Sequence, residues 1–128
     1  MKKKILVVDD EVTTCVLLEH FLSPQYEIFT TNSGIEALTW LETNLPDLIL
    51  SDIQMPKMDG LAFLRNLMRL RPMPVVMVSS LTQKGADVTL EALSLGAIDY
   101  VAKPKNNHQN SLALFQNNLV YKSSIRFW

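Results

Sequence analysis

The sequence predicts a doubly wound α/β fold in which five parallel strands alternate with five helices. Three short apolar runs, Ile5–Val8, Leu48–Leu50 and Val75–Val78, show no polar alternation, which is typical of strands buried on both faces of a parallel sheet. Segments with helical spacing separate these runs, and such alternation indicates right-handed crossover connections. With 128 residues, 48% of them hydrophobic, the chain is predicted to form one domain with an ordinary core.

Five segments are predicted as strands. In chain order they are Ile5–Val8, Tyr26–Thr30, Leu48–Leu50, Val75–Val78 and Asp99–Ala102. The first, third and fourth are rich in valine, isoleucine or leucine, and a polar residue follows each of them. The second and fifth have weaker patterns, and Pro104 stops the fifth because proline cannot continue a strand ladder.

Five segments between and after these strands are predicted as helices. They are Val12–Leu22, a segment capped by Asn32 or Ser33, Gly60–Leu70, Asp87–Leu95 and Ser111–Tyr121. The first has Val12, Cys15, Val16, Leu18, Phe21 and Leu22 at helical spacings, and the second has Ile35, Leu38 and Leu41. Serine and asparagine are good helix caps, and Gly96 suits the end of the fourth helix.

Two strand orders fit such an alternating chain, and five strands in so short a sequence favour the flavodoxin-like order 2-1-3-4-5. In open sheets of this kind a ligand binds beyond the carboxyl ends of the strands, at the switch point between strands 1 and 3. The residues there form one set: Asp9 and Asp10 after strand 1, Asp52 after strand 3, Ser79 after strand 4 and Lys103 after strand 5. The sequence therefore predicts three carboxylates, a hydroxyl and an ammonium at one edge.

This group of charges predicts a cation site. Two carboxylates about 4 Å apart repel each other by roughly 4 kcal/mol at an effective dielectric constant near 20, and one lysine cannot offset three acids. Oxygen ligands suit a hard divalent cation such as Mg²⁺, which commonly binds one or two carboxylates together with phosphate oxygens. Aspartate can form an acyl phosphate. Asp52 stands alone on the middle strand and is the predicted nucleophile, whereas Asp9 and Asp10 are predicted metal ligands.

The bulk properties exclude several classes of protein. The net charge of −1 gives no basic field for nucleic acid or anionic lipid. The single cysteine excludes an intrachain disulfide framework and fits a cytoplasmic location. The apolar run after the basic start is too short for a signal peptide, and no window is apolar enough to span a bilayer.

The order and spacing of four motifs identify a family. "VVDDE" at 7–11, "SDIQMPKMDG" at 51–60, "VVMVSS" at 75–80 and "YVAKP" at 100–104 resemble the response-regulator receiver domain of two-component signalling over about residues 2–120. The resemblance implies that Asp52 is the phosphoacceptor and that Asp9 and Asp10 bind Mg²⁺. It further implies a backbone carbonyl ligand at Gln54, a switch hydroxyl at Ser79, a phosphate-binding lysine at Lys103, an aromatic rotamer switch at Tyr100 and a cis Lys103–Pro104 peptide.

A narrower likeness covers "PVVMVSSLTQKGADVTLEALSLGAIDYVAKPK" at 74–105, which is similar to the receiver domain of the chemotaxis protein-glutamate methylesterase. It implies a histidine kinase as phosphodonor and a hydrolase or other effector as the output partner. Residues 1–121 are the expected receiver domain, and 122–128 are the expected tail or start of a linker. No G-x-S-x-G motif occurs, so we expect a regulatory domain and not an enzyme, as a monomer or weak dimer.

The sequence argues against three other functions and leaves one alternative open. An aspartate-nucleophile phosphatase places its nucleophile after strand 1 in a D-x-D pattern, where this chain has Asp-Asp-Glu. A flavin carrier needs a phosphate-binding loop that "DDEVTTC" at 9–15 does not provide. A silent receiver would not need the complete set of acids, hydroxyl and lysine. The alternative left open is a stand-alone or non-chemotaxis receiver that acts as a protein-interaction module.

Overall fold

The structure is a computed structural model that describes residues 2–53, 55, 58–79, 83–104 and 109–124. At residues 79, 83–86 and 109–111 it describes the backbone element and not the side chain. The strands are β1 Lys3–Val8, β2 Tyr26–Thr31, β3 Leu48–Asp52, β4 Val75–Ser79 and β5 Asp99–Ala102. The helices are α1 Val12–Leu22, α2 Gly34–Leu41, α3 Gly60–Leu70, α4 Gln83–Leu95 and α5 Gln109–Ser124.

The five strands form one parallel sheet in the order β2-β1-β3-β4-β5, which confirms the predicted fold class and strand order. The pairing aligns the carboxyl ends of the central strands, because Val8 is level with Ser51 and Asp52 is level with Val78. At the next strand pair, Ser79 is level with Ala102. The residues that follow these strands therefore meet at one edge of the sheet.

The core consists of two layers, one on each face of the sheet. Leu6 and Val8 of β1 belong to the layer that includes residues of α2, α3 and α4. Ile5 and Val7 belong to the layer that includes residues of α1 and α5. All four residues are fully buried, and burying such a side chain contributes roughly 1.5–3 kcal/mol. Burial on both sides explains why this strand has no polar alternation.

The helices begin and end where local chemistry allows. Ser33 caps α2, since its hydroxyl accepts a hydrogen bond of 3.0 Å from the backbone N–H of Glu36. Asp59 caps α3 in the same way, accepting from the N–H of Ala62 at 2.8 Å. Gly96 ends α4 with φ at 120°, in the left-handed region that glycine tolerates best.

Three apolar residues at the helical spacings of the first two helices are exposed. Val12 and Val16 of α1 are 68% and 59% exposed, and Ile35 of α2 is 51% exposed. The buried face of α1 is made of Thr14, Cys15, Leu18 and Leu22. This helix carries apolar residues on two faces, and periodicity alone cannot tell which face packs on the sheet.

Several element boundaries differ from the prediction by a few residues. The helix α4 begins at Gln83 rather than Asp87, and α5 continues to Ser124, past Tyr121. Such ends depend on local hydrogen bonds that composition does not specify. Among the described residues, none of the helices has the length and hydrophobicity that crossing a membrane would require.

Candidate functional site

The carboxyl ends of β1, β3 and β5 bring the predicted acids and the predicted lysine together. Asp9 and Asp10 follow β1 directly, Asp52 is the last residue of β3, and Lys103 follows β5. Asp9 is 1% exposed and Asp52 is 6% exposed, whereas Asp10 is exposed. One carboxylate oxygen from each of the three aspartates lies within 4.8 Å of the others.

The backbone behind Asp52 is held by the loop that leads into α3. The N–H of Gly60 donates a hydrogen bond of 2.6 Å to the carbonyl of Ile53. A Cβ atom on Gly60 would lie 2.1 Å from the carbonyl oxygen of Asp52 and 2.6 Å from Cα of Ile53. Only a glycine lets the start of α3 approach this strand end so closely, and that approach fixes the direction of the Asp52 backbone.

Hydrogen bonds hold both the side chain and the backbone of Asp9 in place. Its Oδ1 accepts a hydrogen bond of 2.8 Å from the backbone N–H of Glu11. The thiol of Cys15 donates to the carbonyl oxygen of Asp9 at 3.4 Å. Among the described residues, the buried Oδ2 has no hydrogen-bond partner, and it has a charge contact with Nζ of Lys103 at 3.2 Å. This oxygen therefore depends on the charge of Lys103, since a buried polar atom without a hydrogen bond is costly.

Lys103 is the common partner of three acids. Its Nζ lies 3.2 Å from Oδ2 of Asp9 and 3.3 Å from Oδ2 of Asp52. It lies still closer, at 2.9 Å, to Oε1 of Glu11. The lysine side chain is only 14% exposed. Sequence reasoning assigned no role to Glu11, although its position as the third consecutive acid after β1 was an available signal.

The excess of acids shifts the ionisation of the site. Burial raises the pKa of Asp9 from 3.8 to about 6, and the nearby charge of Asp52 adds to this rise. For Lys103, burial lowers the pKa, but the charges of Asp9, Glu11 and Asp52 outweigh burial and raise the pKa above its usual range. Burial also raises the pKa of the Cys15 thiol to about 11, which keeps that thiol protonated and unreactive at neutral pH.

These observations fit a hard divalent cation. The three aspartates offer only oxygen ligands, which Mg²⁺ prefers. The buried Oδ2 of Asp9 has no hydrogen-bond partner within the described part of the chain, and a cation would give it a ligand bond. A positive charge would also offset the repulsion between Asp9 and Asp52 that contributes to the raised pKa of Asp9. The aspartates of this cluster are therefore able to bind such a cation.

Four further sequence expectations concern the surroundings of this cluster. Ser79 ends β4 at the same edge of the sheet, but its side chain lies outside the described residues, as does Gln54 altogether. Tyr100 is 39% exposed, and Nζ of Lys122 lies over its ring at 4.7 Å from the centroid. The expected cis Lys103–Pro104 peptide is wrong, because the described residues contain no cis bond, and the trans form is the one that an X–Pro bond intrinsically prefers.

Known proteins match this chain over almost its whole length. The family described as "Response regulator receiver domain" matches residues 5–114. The protein-glutamate methylesterase/protein-glutamine glutaminase of Hydrogenovibrio crunogenus is 44% identical over 124 residues, which are 94% of this chain and 33% of that protein. Its counterpart in Nitrosomonas europaea is 46% identical over 126 residues, 95% of this chain and 35% of that protein. The chain thus spans about a third of the length of these curated relatives.

Two solved structures show the same fold. The response regulator domain of Thermotoga maritima CheB has a TM-score of 0.83 and 32% identity, covering 98% of this chain and 96% of that one. The chemotaxis response regulator CheY4 of Vibrio cholerae has a TM-score of 0.81 and 25% identity, covering 98% of this chain and 99% of that one. The first of these likenesses agrees with the predicted similarity to the methylesterase receiver domain.

Proposed function

The chain belongs to the response regulator receiver domain family, and from that membership we propose that it is a phosphorylation switch with Asp52 as the phosphoacceptor. One observation carries the assignment to Asp52. This carboxylate ends the middle strand, lies with two other aspartates in an oxygen cluster, and has an ammonium 3.3 Å away. A phosphoryl group on Asp52 would therefore lie beside a positive charge.

The proposed metal ligands are the carboxylates of Asp9, Asp10 and Asp52, with the backbone carbonyl of Gln54 expected from the family motif. Bound Mg²⁺ would supply charge neutralisation for the phosphoryl oxygens. The chain supplies the positions of these ligands. Glu11 orients Asp9 through its backbone N–H, and the close approach of Gly60 fixes the strand end that carries Asp52.

The phosphodonor in this proposal is a phosphohistidine of a histidine kinase. An oxygen of the Asp52 carboxylate forms the new P–O bond while the P–N bond to the imidazole breaks, and the released ring nitrogen keeps the electron pair of that bond. Lys103 stabilises the negative charge on the transferred group, which is mainly a matter of positioning and electrostatics in phosphoryl transfer. The modified side chain carries about −1.5 to −2 charges, compared with −1 for the carboxylate.

The added charge and oxygens are the proposed signal. The hydroxyl of Ser79 would donate a hydrogen bond to the phosphoryl group, and the ring of Tyr100 would turn inward from its exposed position. Such a switch needs two states that differ by only a few kcal/mol, so that a local change in charge can choose between them. The surface of α4, β5 and α5 would then present a different shape to a partner.

The proposed output is control of a hydrolase domain or another effector in chemotaxis. Support comes from the relatives named protein-glutamate methylesterase, of which the chain matches about a third. The receiver match at 5–114 makes these residues a regulatory domain, and we propose 1–121 as its extent and the cytoplasm as its location. We further propose a monomer or weak dimer that does not bind nucleic acid.

Phosphorylation in vitro tests the assignment of Asp52. Incubation with acetyl phosphate and Mg²⁺ should add the mass of one phosphoryl group to the intact protein, as measured by mass spectrometry at neutral pH. Asp52→Asn should abolish this adduct, whereas Asp47→Asn, which changes an acid at the opposite end of the sheet, should retain it. An unmodified wild type would contradict the proposed function, and an adduct that survives in Asp52→Asn would assign it to another residue.

A further inference from the structure

Glu11 stands apart from the other acids that contact Lys103. Its carboxylate makes the shortest of the three contacts, 2.9 Å from Nζ, yet its side chain is 60% exposed. The side chains of Asp9 and Asp52 are 1% and 7% exposed. Glu11 is also outside the group of carboxylates that could share a metal ion among the described residues. It contacts the lysine without belonging to the metal cluster.

The position of Glu11 at the start of α1 leaves its carboxylate available for this contact. Glu11 is the N-cap residue of the helix, with φ −88° and ψ 111°, and its side chain makes no capping hydrogen bond. Its backbone N–H instead binds Oδ1 of Asp9 at 2.8 Å, which fixes the residue beside the cluster. The partial positive charge at a helix N-terminus favours an acid here, and the side chain reaches Lys103.

Lys103 and a metal ion would compete for the same carboxylates. The ammonium lies 3.2 and 3.3 Å from the Oδ2 atoms of Asp9 and Asp52, which are two of the three residues in the metal cluster. A divalent cation bound to these carboxylates would repel an ammonium that contacts the same two side chains. We therefore expect the contacts of the lysine with the two buried aspartates to loosen when a metal binds.

We propose that Glu11 is a positioning residue that retains the Lys103 ammonium when a divalent cation binds the aspartate cluster. The inference rests on the metal site of the proposed function. Before metal binding, Glu11 is one of three anionic partners of the lysine; afterwards it is the principal one, so its attraction favours the metal-bound state. It also keeps Lys103 beside the site, within reach of a phosphoryl group on Asp52.

Titration of Mg²⁺ by isothermal calorimetry, without a phosphodonor, tests this role. Glu11→Gln should weaken Mg²⁺ binding about threefold, the scale expected for a partly exposed ion pair. Glu19→Gln removes the same charge from an exposed acid farther along α1 and should leave the affinity nearly unchanged. Lys103→Gln should tighten binding, because it removes the competing ammonium. Thermal melts in EDTA check that each variant is folded.

The double variant separates an effect through Lys103 from simple attraction between Glu11 and the metal. In the Lys103→Gln background, Glu11→Gln should cost almost nothing, because the lysine that it retains is gone. An equal loss in both backgrounds would overturn the inference, as would an unchanged affinity in Glu11→Gln alone. Wild type that fails to bind Mg²⁺ would instead reject the metal site of the proposed function, and the inference with it.

Discussion

At the carboxyl end of the sheet Lys103 lies among Asp9, Glu11 and Asp52, whereas at the amino end Lys122 forms an ion pair with Asp99. There, Oδ2 of Asp47 accepts a hydrogen bond of 2.8 Å from the backbone N–H of Lys4. Both ends contain acids and lysines, but in different numbers. They differ in how many acids each cation must neutralise and in how deeply those acids are buried.

The acids at the two ends of the sheet therefore affect the stability of the fold in opposite directions. An exposed acid that binds one donor stabilises the fold modestly. Buried acids that outnumber their cation raise the energy of the folded state, and the raised pKa of Asp9 reports this cost. The carboxyl end therefore holds negative charge that a bound cation would offset, at the expense of the stability of the protein without metal.

Substitutions of Gly60 and Gly34 test whether the close approach of a helix start to its neighbours is required at the carboxyl end. Each glycine opens a helix after a capping residue. Gly60→Ala should lower the free energy of unfolding by about 3 kcal/mol or more and weaken Mg²⁺ binding, since its Cβ would strike rigid backbone of β3. Gly34→Ala should cost only about 1 kcal/mol, because its Cβ would meet the flexible Sδ of Met58 at 3.0 Å and Cβ of Phe63 at 3.2 Å, and small shifts of these side chains relieve both contacts.

Urea denaturation of both glycine variants in EDTA measures this difference. Similar losses of unfolding free energy for the two substitutions would show that the approach of α3 to the Asp52 backbone is not a special constraint. A Gly60→Ala protein with wild-type Mg²⁺ affinity would show that the position of Asp52 does not depend on this loop.

The fold and most of the site could be predicted because they depend on simple regularities. Strands buried on both faces leave unbroken apolar runs, and a parallel sheet gathers the residues that follow those strands at one edge. The contact of Glu11 with Lys103 could not be predicted, because it depends on the path of a long side chain across the edge. The exposure of Val12 and Val16 escaped prediction because α1 has two apolar faces.

Asp9 and Asp47 should respond with opposite signs to the same substitution by asparagine. Without metal at neutral pH, Asp9→Asn should raise the free energy of unfolding by about 2–3 kcal/mol, because it removes a buried charge whose pKa is raised to about 6. Asp47→Asn should lower it by less than about 1 kcal/mol, since it weakens one exposed hydrogen bond. Saturating Mg²⁺ should reverse the order, because Asp9→Asn removes a metal ligand.

The pH dependence of the free energy of unfolding gives a second test of the effect of Asp9. The pKa of Asp9 is higher in the folded state than its ordinary value of 3.8, so the folded state binds the proton more tightly. Its contribution to stability is complete below about pH 4 and is lost as the pH rises through about 6. Urea titrations of wild type and Asp9→Asn in EDTA should therefore diverge across this window. A constant difference would contradict the raised pKa.

Lys122 is the amino-end counterpart of Lys103 and gives the smallest expected effect. Its Nζ lies 3.3 Å from Oδ1 of Asp99, donates a hydrogen bond of 2.7 Å to the carbonyl of Tyr100, and sits over the Tyr100 ring. Lys122→Met should lower the free energy of unfolding by about 1 kcal/mol, the scale of a partly exposed ion pair with a cation–π contact.

The Mg²⁺ affinity of Lys122→Met tests whether Lys122 affects only the amino end of the sheet. It should stay at the wild-type value in Lys122→Met, because the contacts of Lys122 are to the start of β5 and not to the aspartate cluster. Lys122→Arg, which keeps the charge and can stack on Tyr100, should recover part of the lost stability. A weakened Mg²⁺ affinity in Lys122→Met would show that β5 transmits changes from one end of the sheet to the other, and the two ends would then form one electrostatic unit.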